Sequence, residues 1–164
     1  TRKNCIIGAS LDETFAKELV SNLKKSSKKF EMLLFGMPNW NGFGAFSKNI
    51  KTDYRDFSFY YTTPYFNNKT DSMSLLIQNS YLNQYKGTPS EMANKGFETV
   101  YLFSRALTND TKEISAVINN SDKVFTSFRI LPVLSKDSQK AVNYFENKNL
   151  YFIKKINGVS SVAW

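Results

Sequence analysis

The sequence predicts an α/β fold that opens with parallel strands and closes with antiparallel ones. Three observations predict it. Apolar strand-length runs alternate with an amphipathic helix over the first third of the chain. A stretch of helix-patterned residues with polar caps follows. The remainder holds short alternating strands and an Asn157-Gly158 turn signal.

Cys5–Ala9 reads as a buried strand, with Ser10 as its turn residue or as a helix cap. Over 11–25, Leu11, Phe15, Leu19 and Leu23 recur every four residues, which predicts a helix with one apolar stripe. Asp12 and Glu13 sit in its first turn and complement its dipole. A second strand is expected over 32–35, closed by Gly36 and Pro38. A Gly/Asn/Trp loop and a short helix over 45–51 lead to a third strand over 57–63, stopped by Pro64.

Thr70 or Asp71 caps the next helix, which runs to Tyr85 with Met73, Leu76, Ile77, Tyr81 and Tyr85 on its apolar side. Thr88 with Glu91 three residues later, and Pro89 between them, predicts a capping box for a helix ending at Leu107. A short helix over 112–119 follows. Strands are expected over 124–134, 141–145, 150–156 and 159–164. The organisation is one domain. Residues 1–69 form a βαβαβ part, 70–122 a helical crossover and 123–164 strands that return to it.

Composition excludes several function classes. The net charge is +8, from 22 basic and 14 acidic residues. Only Arg2, Arg55, Arg105 and Arg129 are arginines, and the lysines are spread along the chain rather than gathered in a stripe. Solvated surface lysines account for this pattern, and no nucleic-acid partner is expected. The chain has no histidine, so it lacks the commonest general base and metal ligand. Cys5 is the only cysteine, which rules out an internal disulfide, and it reads as a buried strand residue. Gly42-Phe43-Gly44 lacks the third glycine and the lysine of a phosphate loop. No catalytic residue, metal or cofactor is expected, and no transmembrane segment.

Two groups could bind a ligand. Asn39 and Trp40 follow the second strand, where open parallel sheets collect ligands. A tryptophan beside amides can stack on a solute and hydrogen-bond it. Tyr61 and Thr63 end the third strand on one face, opposite Tyr60 and Thr62. With Ser10 after the first strand, three strand ends would line one rim. Packing of Trp40 and turn-forming by the asparagines is the alternative reading.

The stretch Leu34-Phe35-Gly36-Met37-Pro38-Asn39-Trp40, then Phe59-Tyr60-Tyr61 with Pro64-Tyr65-Phe66, and above all the series from Tyr81 to Glu98 resemble the later half of type I periplasmic binding proteins. These are the leucine/isoleucine/valine-receptor-like solute-binding proteins of ABC transporters. The likeness is closest to a Bacteroidetes branch joined to peptidoglycan-binding LysM modules, and Tyr144 to Phe152 resembles its closing strands. The chain departs from the family at Phe97-Glu98, where Tyr-Asp is usual.

The resemblance implies a Rossmann-like, three-layer second lobe whose first lobe is missing. It implies non-catalytic recognition of a small polar solute by hinge closure, with Ser10, Asn39, Trp40, Tyr61 and Thr63 at the rim. The alternative it leaves is a cell-envelope interaction module, facing protein or peptidoglycan, that kept the fold without the ligand. A periplasmic or lipid-anchored envelope location is implied as well. The abrupt start on a strand, with no signal peptide before it, leads us to expect a fragment. The helices at 70–107 should then expose a face meant for packing, open to homodimerisation.

Overall fold

The computed structural model describes residues 3–49, 52–108, 113–137 and 141–164. The elements run β1 (Lys3–Ile7), α1 (Glu13–Ser26), β2 (Glu31–Phe35), β3 (Phe59–Thr63), α2 (Ser72–Tyr85), α3 (Glu91–Leu107), α4 (Ile114–Asn120), β4 (Ile130–Leu134), β5 (Val142–Asn147), β6 (Tyr151–Ile156) and β7 (Val159–Val162). Two 3-10 turns, Pro38–Gly42 and Gly44–Phe46, join β2 to β3. The chain forms two compact units, Thr1–Thr63 with Tyr151–Trp164, and Pro64–Leu150.

The first unit is a mixed five-stranded sheet in the order β1-β2-β3-β6-β7. β1, β2 and β3 are parallel; β6 and β7 run antiparallel to their neighbours. Both parallel connections step in the same direction across the sheet. Right-handed crossovers then put α1 and the 3-10 turns on one face. That face holds the core: Ala16 and Val20 of α1, Leu34, Trp40, Phe46, Phe59 and Ile153.

The other face carries Ile7, Phe35, Tyr60 and Phe152, placed side by side by the register Ile7↔Phe35, Phe35↔Tyr60 and Thr62↔Phe152. Phe35 meets Tyr60 at 5.5 Å, and Trp164 lies against Tyr60 and Phe152. Ile7 is 75% exposed and Trp164 68%. Within this unit α1 and the 3-10 turns cover one face of the sheet. Cys5 shares the open face on an edge strand and is exposed, so the expected burial is corrected.

Asp12 caps α1 by accepting from Phe15 N at 2.7 Å. Glu13 does more than complement the dipole: its Oε1 accepts from Ala45 N at 2.9 Å and ties α1 to the second 3-10 turn. That turn replaces the helix expected from Ala45, of which positions 50 and 51 lie outside the described residues. Asn157 and Gly158 both take positive φ, 53° and 73°, and join β6 to β7 in two residues. This is the backbone an Asn-Gly hairpin selects. A Cβ on Gly158 would also stand 2.3 Å from Lys48 N.

In the second unit α2, α3 and α4 accompany the β4–β5 hairpin, a separate two-stranded sheet. Among the described residues of this closing part, 151–164 rejoin the first sheet, whereas β4 and β5 pair with each other. The core is Leu102, Val124 and Phe125, with Tyr65, Met73, Ile77 and Phe128 packed against it.

The α2 cap is Asp71, as expected. Ser90 caps α3 in place of Thr88, accepting from Ala93 N at 3.1 Å. Pro89 then precedes the cap rather than opening the helix. The short helix begins at Ile114; position 112 lies outside the described residues.

The buried stripe of α3 is Asn94, Glu98, Leu102 and Ala106. Glu98, 1% exposed, accepts from Phe125 N (2.8 Å) and Thr126 N (2.7 Å) and so caps a non-helical turn from another element. Met92, Val100 and Leu107 face outward, as do Leu75, Leu76, Leu82 and Tyr85 of α2. Leu76 and Tyr85 were expected on the inner side of α2, where Met73 and Ile77 pack against the core and Ser74 is buried.

Candidate functional site

The carboxyl ends of β1, β2 and β3 are where an open parallel sheet offers a crevice. Here the chain fills that place itself. Gly8 extends the ladder past β1, donating to Phe35 O at 2.7 Å, and Gly36 extends β2, donating to Tyr60 O at 2.8 Å. The Trp40 indole lies over both glycines. A Cβ on Gly8 would stand 2.6 Å from Trp40 Cη2, and one on Gly36 2.4 Å from Cε3. Only glycine leaves this room.

Trp40 is fully buried, and its Nε1 donates to Ser10 O at 2.7 Å. Its ring stacks with Phe43 and Phe46 and meets Phe59 edge-on. In this arrangement the indole offers no face to a solute. It fills the strand-end space that sequence reasoning assigned to a ligand.

The other rim residues divide. Ser10 Oγ accepts from Asp12 N at 3.2 Å, so Ser10 bridges the first strand and the α1 cap. Asn39 is exposed, and its Nδ2 donates to Leu11 O at 3.0 Å. Ser10, Asn39 and Trp40 are thus brought together, by hydrogen bonds between the 10–11 and 39–40 loops. Tyr61 is buried mid-strand, and its hydroxyl donates to Ser160 Oγ of β7 at 3.4 Å, on the far side of the sheet from β1. Thr63 ends β3 opposite Tyr151 and is half-buried.

Sequence reasoning missed a polar cluster on the same inner face. Lys155 is 5% exposed. Its Nζ donates to Asn41 O (2.5 Å) and Asn41 Oδ1 (3.1 Å), and Ser160 Oγ also donates to Asn41 Oδ1 at 3.1 Å. Burial pushes the Lys155 pKa below the usual lysine value. The signal was present. Alternation from buried Ile153 sends Lys155 inward, whereas a Lys-Lys pair read as composition looks like surface.

A buried, pKa-lowered lysine is the raw material of amine catalysis. This one has its protons on an amide side chain and a carbonyl, and its burial leaves a substrate no approach. It ties β6 to Asn41 of the first 3-10 turn. Among the described residues no group of three or more His, Cys, Asp or Glu could hold a metal ion. None of their helices is long and apolar enough to cross a membrane.

No family model, curated protein or solved structure matches the chain. The functional reading therefore rests on the residues and their geometry.

Proposed function

We propose that this chain is a non-catalytic recognition lobe of the periplasmic-binding-protein kind, used as a protein-interaction module of the cell envelope. The observation that carries the reading is Trp40, buried over Gly8 and Gly36 where such a lobe would hold a solute. The exposed apolar face of Ile7, Phe152 and Trp164 supports it. Contiguous apolar and aromatic surface is the usual material of protein contacts. Lys154, over the Tyr60 ring at 6.0 Å, adds positive charge there and favours a partner with acidic groups.

One observation favours a second reading, solute binding by closure against a complementary lobe. Asn39 keeps an exposed amide at the strand edge, beside half-buried Ser10. A thermal-shift screen of amino acids, short peptides and sugars separates the two. A solute at a hundred times its dissociation constant stabilises its receptor by about 2.7 kcal/mol. The interaction reading expects no saturable shift. A shift that Asn39→Ala or Ser10→Ala abolishes would establish the solute reading in its place.

A further inference from the structure

The second unit contains an apolar cleft of about 640 Å³ between α3, α4 and the β4–β5 hairpin. Its walls are Leu102, Phe103, Ile114, Ile118, Phe128 and Phe145. That volume lies within the range of small-molecule sites, about 300–1,000 Å³. A more polar recess of about 320 Å³ shares Leu102, Ile118 and Phe128 with it. Thr126, Asn119, Asp122 and Lys123 also line the recess.

Thr126 is the decisive residue. It is 1% exposed. Its backbone N–H is taken by Glu98, yet its Oγ1 finds no hydrogen-bond partner among the described residues. A buried hydroxyl in that condition calls for a water or a ligand atom. One water would satisfy the hydroxyl but would leave the apolar walls beside it uncovered. The Asn119 side chain is already engaged elsewhere, because its Nδ2 donates to Ile130 O and its Oδ1 accepts from Ile130 N.

We infer that this cleft binds a small neutral amphiphile, its apolar chain along Leu102, Ile118 and Phe128 and its polar head on Thr126 Oγ1. The hydroxyl sets the chemistry of the head. A hydroxyl both donates and accepts, so it suits an alcohol or an amide. Asp122 and Lys123 line the recess and Glu113 the cleft, so the charged comparisons below test the head directly. The site lies wholly within the second unit and does not rest on the reading of the strand edge.

The test is a titration of the whole chain with 1-octanol, followed by amide chemical shifts, with octanoate and octylamine as charged comparisons. Saturable octanol binding is expected, with shifts confined to 99–130 and Phe145. Thr126→Val has the shape of threonine without the unpaired hydroxyl. It should stay folded and bind octanol about fivefold to tenfold more weakly. Thr126→Ser restores the hydroxyl and should recover affinity. Ile118→Trp fills the cleft and should abolish binding.

Non-saturable octanol binding overturns the proposal. So does a Thr126→Val protein that binds as tightly as the parent, which would assign the hydroxyl to a water. Octanoate or octylamine binding more tightly than octanol overturns the neutral head. A polar solute that binds through Asn39 would overturn the interaction reading above and leave this site untouched.

Discussion

Replacing Gly36 with alanine tests whether Trp40 is a structural plug or a ligand platform. The added Cβ would stand 2.4 Å from Trp40 Cε3 and 2.7 Å from Cδ2. Both distances are far inside van der Waals contact, about 3.5–4.0 Å between carbons. The ring cannot swing away, because Phe43, Phe46 and Phe59 surround it and Ser10 O holds its N–H. The strand end must shift instead. Overpacking of this kind costs about 1–3 kcal/mol.

Trp40→Leu removes the obstacle while keeping an apolar filling. It should cost less than the about 3–5 kcal/mol of a Trp→Ala truncation. In the double variant the alanine methyl enters space the indole has vacated. The two changes should therefore be non-additive by more than about 1 kcal/mol, with the double variant more stable than the sum predicts. Urea unfolding followed by far-ultraviolet circular dichroism measures all four corners of the cycle. Gly36→Ala within about 0.5 kcal/mol of the parent, or an additive cycle, would refute the plug.

Three further outcomes follow from the geometry. Lys155 has a lowered folded pKa, so the unfolded chain binds more protons between that value and 10.5, and stability rises with pH across the window. The parent should thus gain on Lys155→Met as the solution is made alkaline, by at most about 1.4 kcal/mol per pH unit; denaturation at stepped pH reads the difference, and a flat difference contradicts the buried charge. Gly158→Ala combines a positive φ with a Cβ set against the Lys48 backbone, and a fall of more than about 1 kcal/mol is expected in the same assay. Phe152→Lys puts a charge on the open sheet face; if sedimentation equilibrium finds the parent self-associating through that face, the variant should associate less, and equal association would remove it as a self-contact surface.

Much of the first unit was legible because its signals are local. The helix after Leu11, the run from Phe57 to Thr63 and the Asn157-Gly158 turn each follow from local pattern or backbone preference, although α1 buries Ala16 and Val20 while Leu11 and Phe15 of the expected stripe stay exposed. What escaped depends on partners distant in sequence. Cys5 and Ile7 look like core residues until their edge-strand face is known. Ser90 displaced Thr88 as a cap, because Ser/Thr spacing permits both and only the chain path chooses.

The rim illustrates the limit best. Hydrogen bonds bring Ser10, Asn39 and Trp40 together, but a tryptophan at a strand end suits stacking on a ligand and filling a glycine-lined gap equally well. The sequence holds both glycines, yet only coordinates place them under the same ring. Glu98 and Lys155 were missed for a related reason. Composition assigns charge to the surface, whereas their partners are amides and carbonyls supplied by remote turns.

β3 and β6 are ladder neighbours, with Thr63 opposite Tyr151, yet the whole segment 64–150 lies between them. During synthesis the parallel trio emerges first, and the two strands that complete its sheet emerge last. Until then β3 presents an unpaired edge, a template for the wrong strand. Loop-closure entropy rises only slowly with length, so the long excursion costs little at equilibrium. Its cost is in time, since distant pairings form late. A turn joining Thr63 directly to Tyr151 would turn this late pairing into a local hairpin, and the shortened sheet should fold faster than the parent.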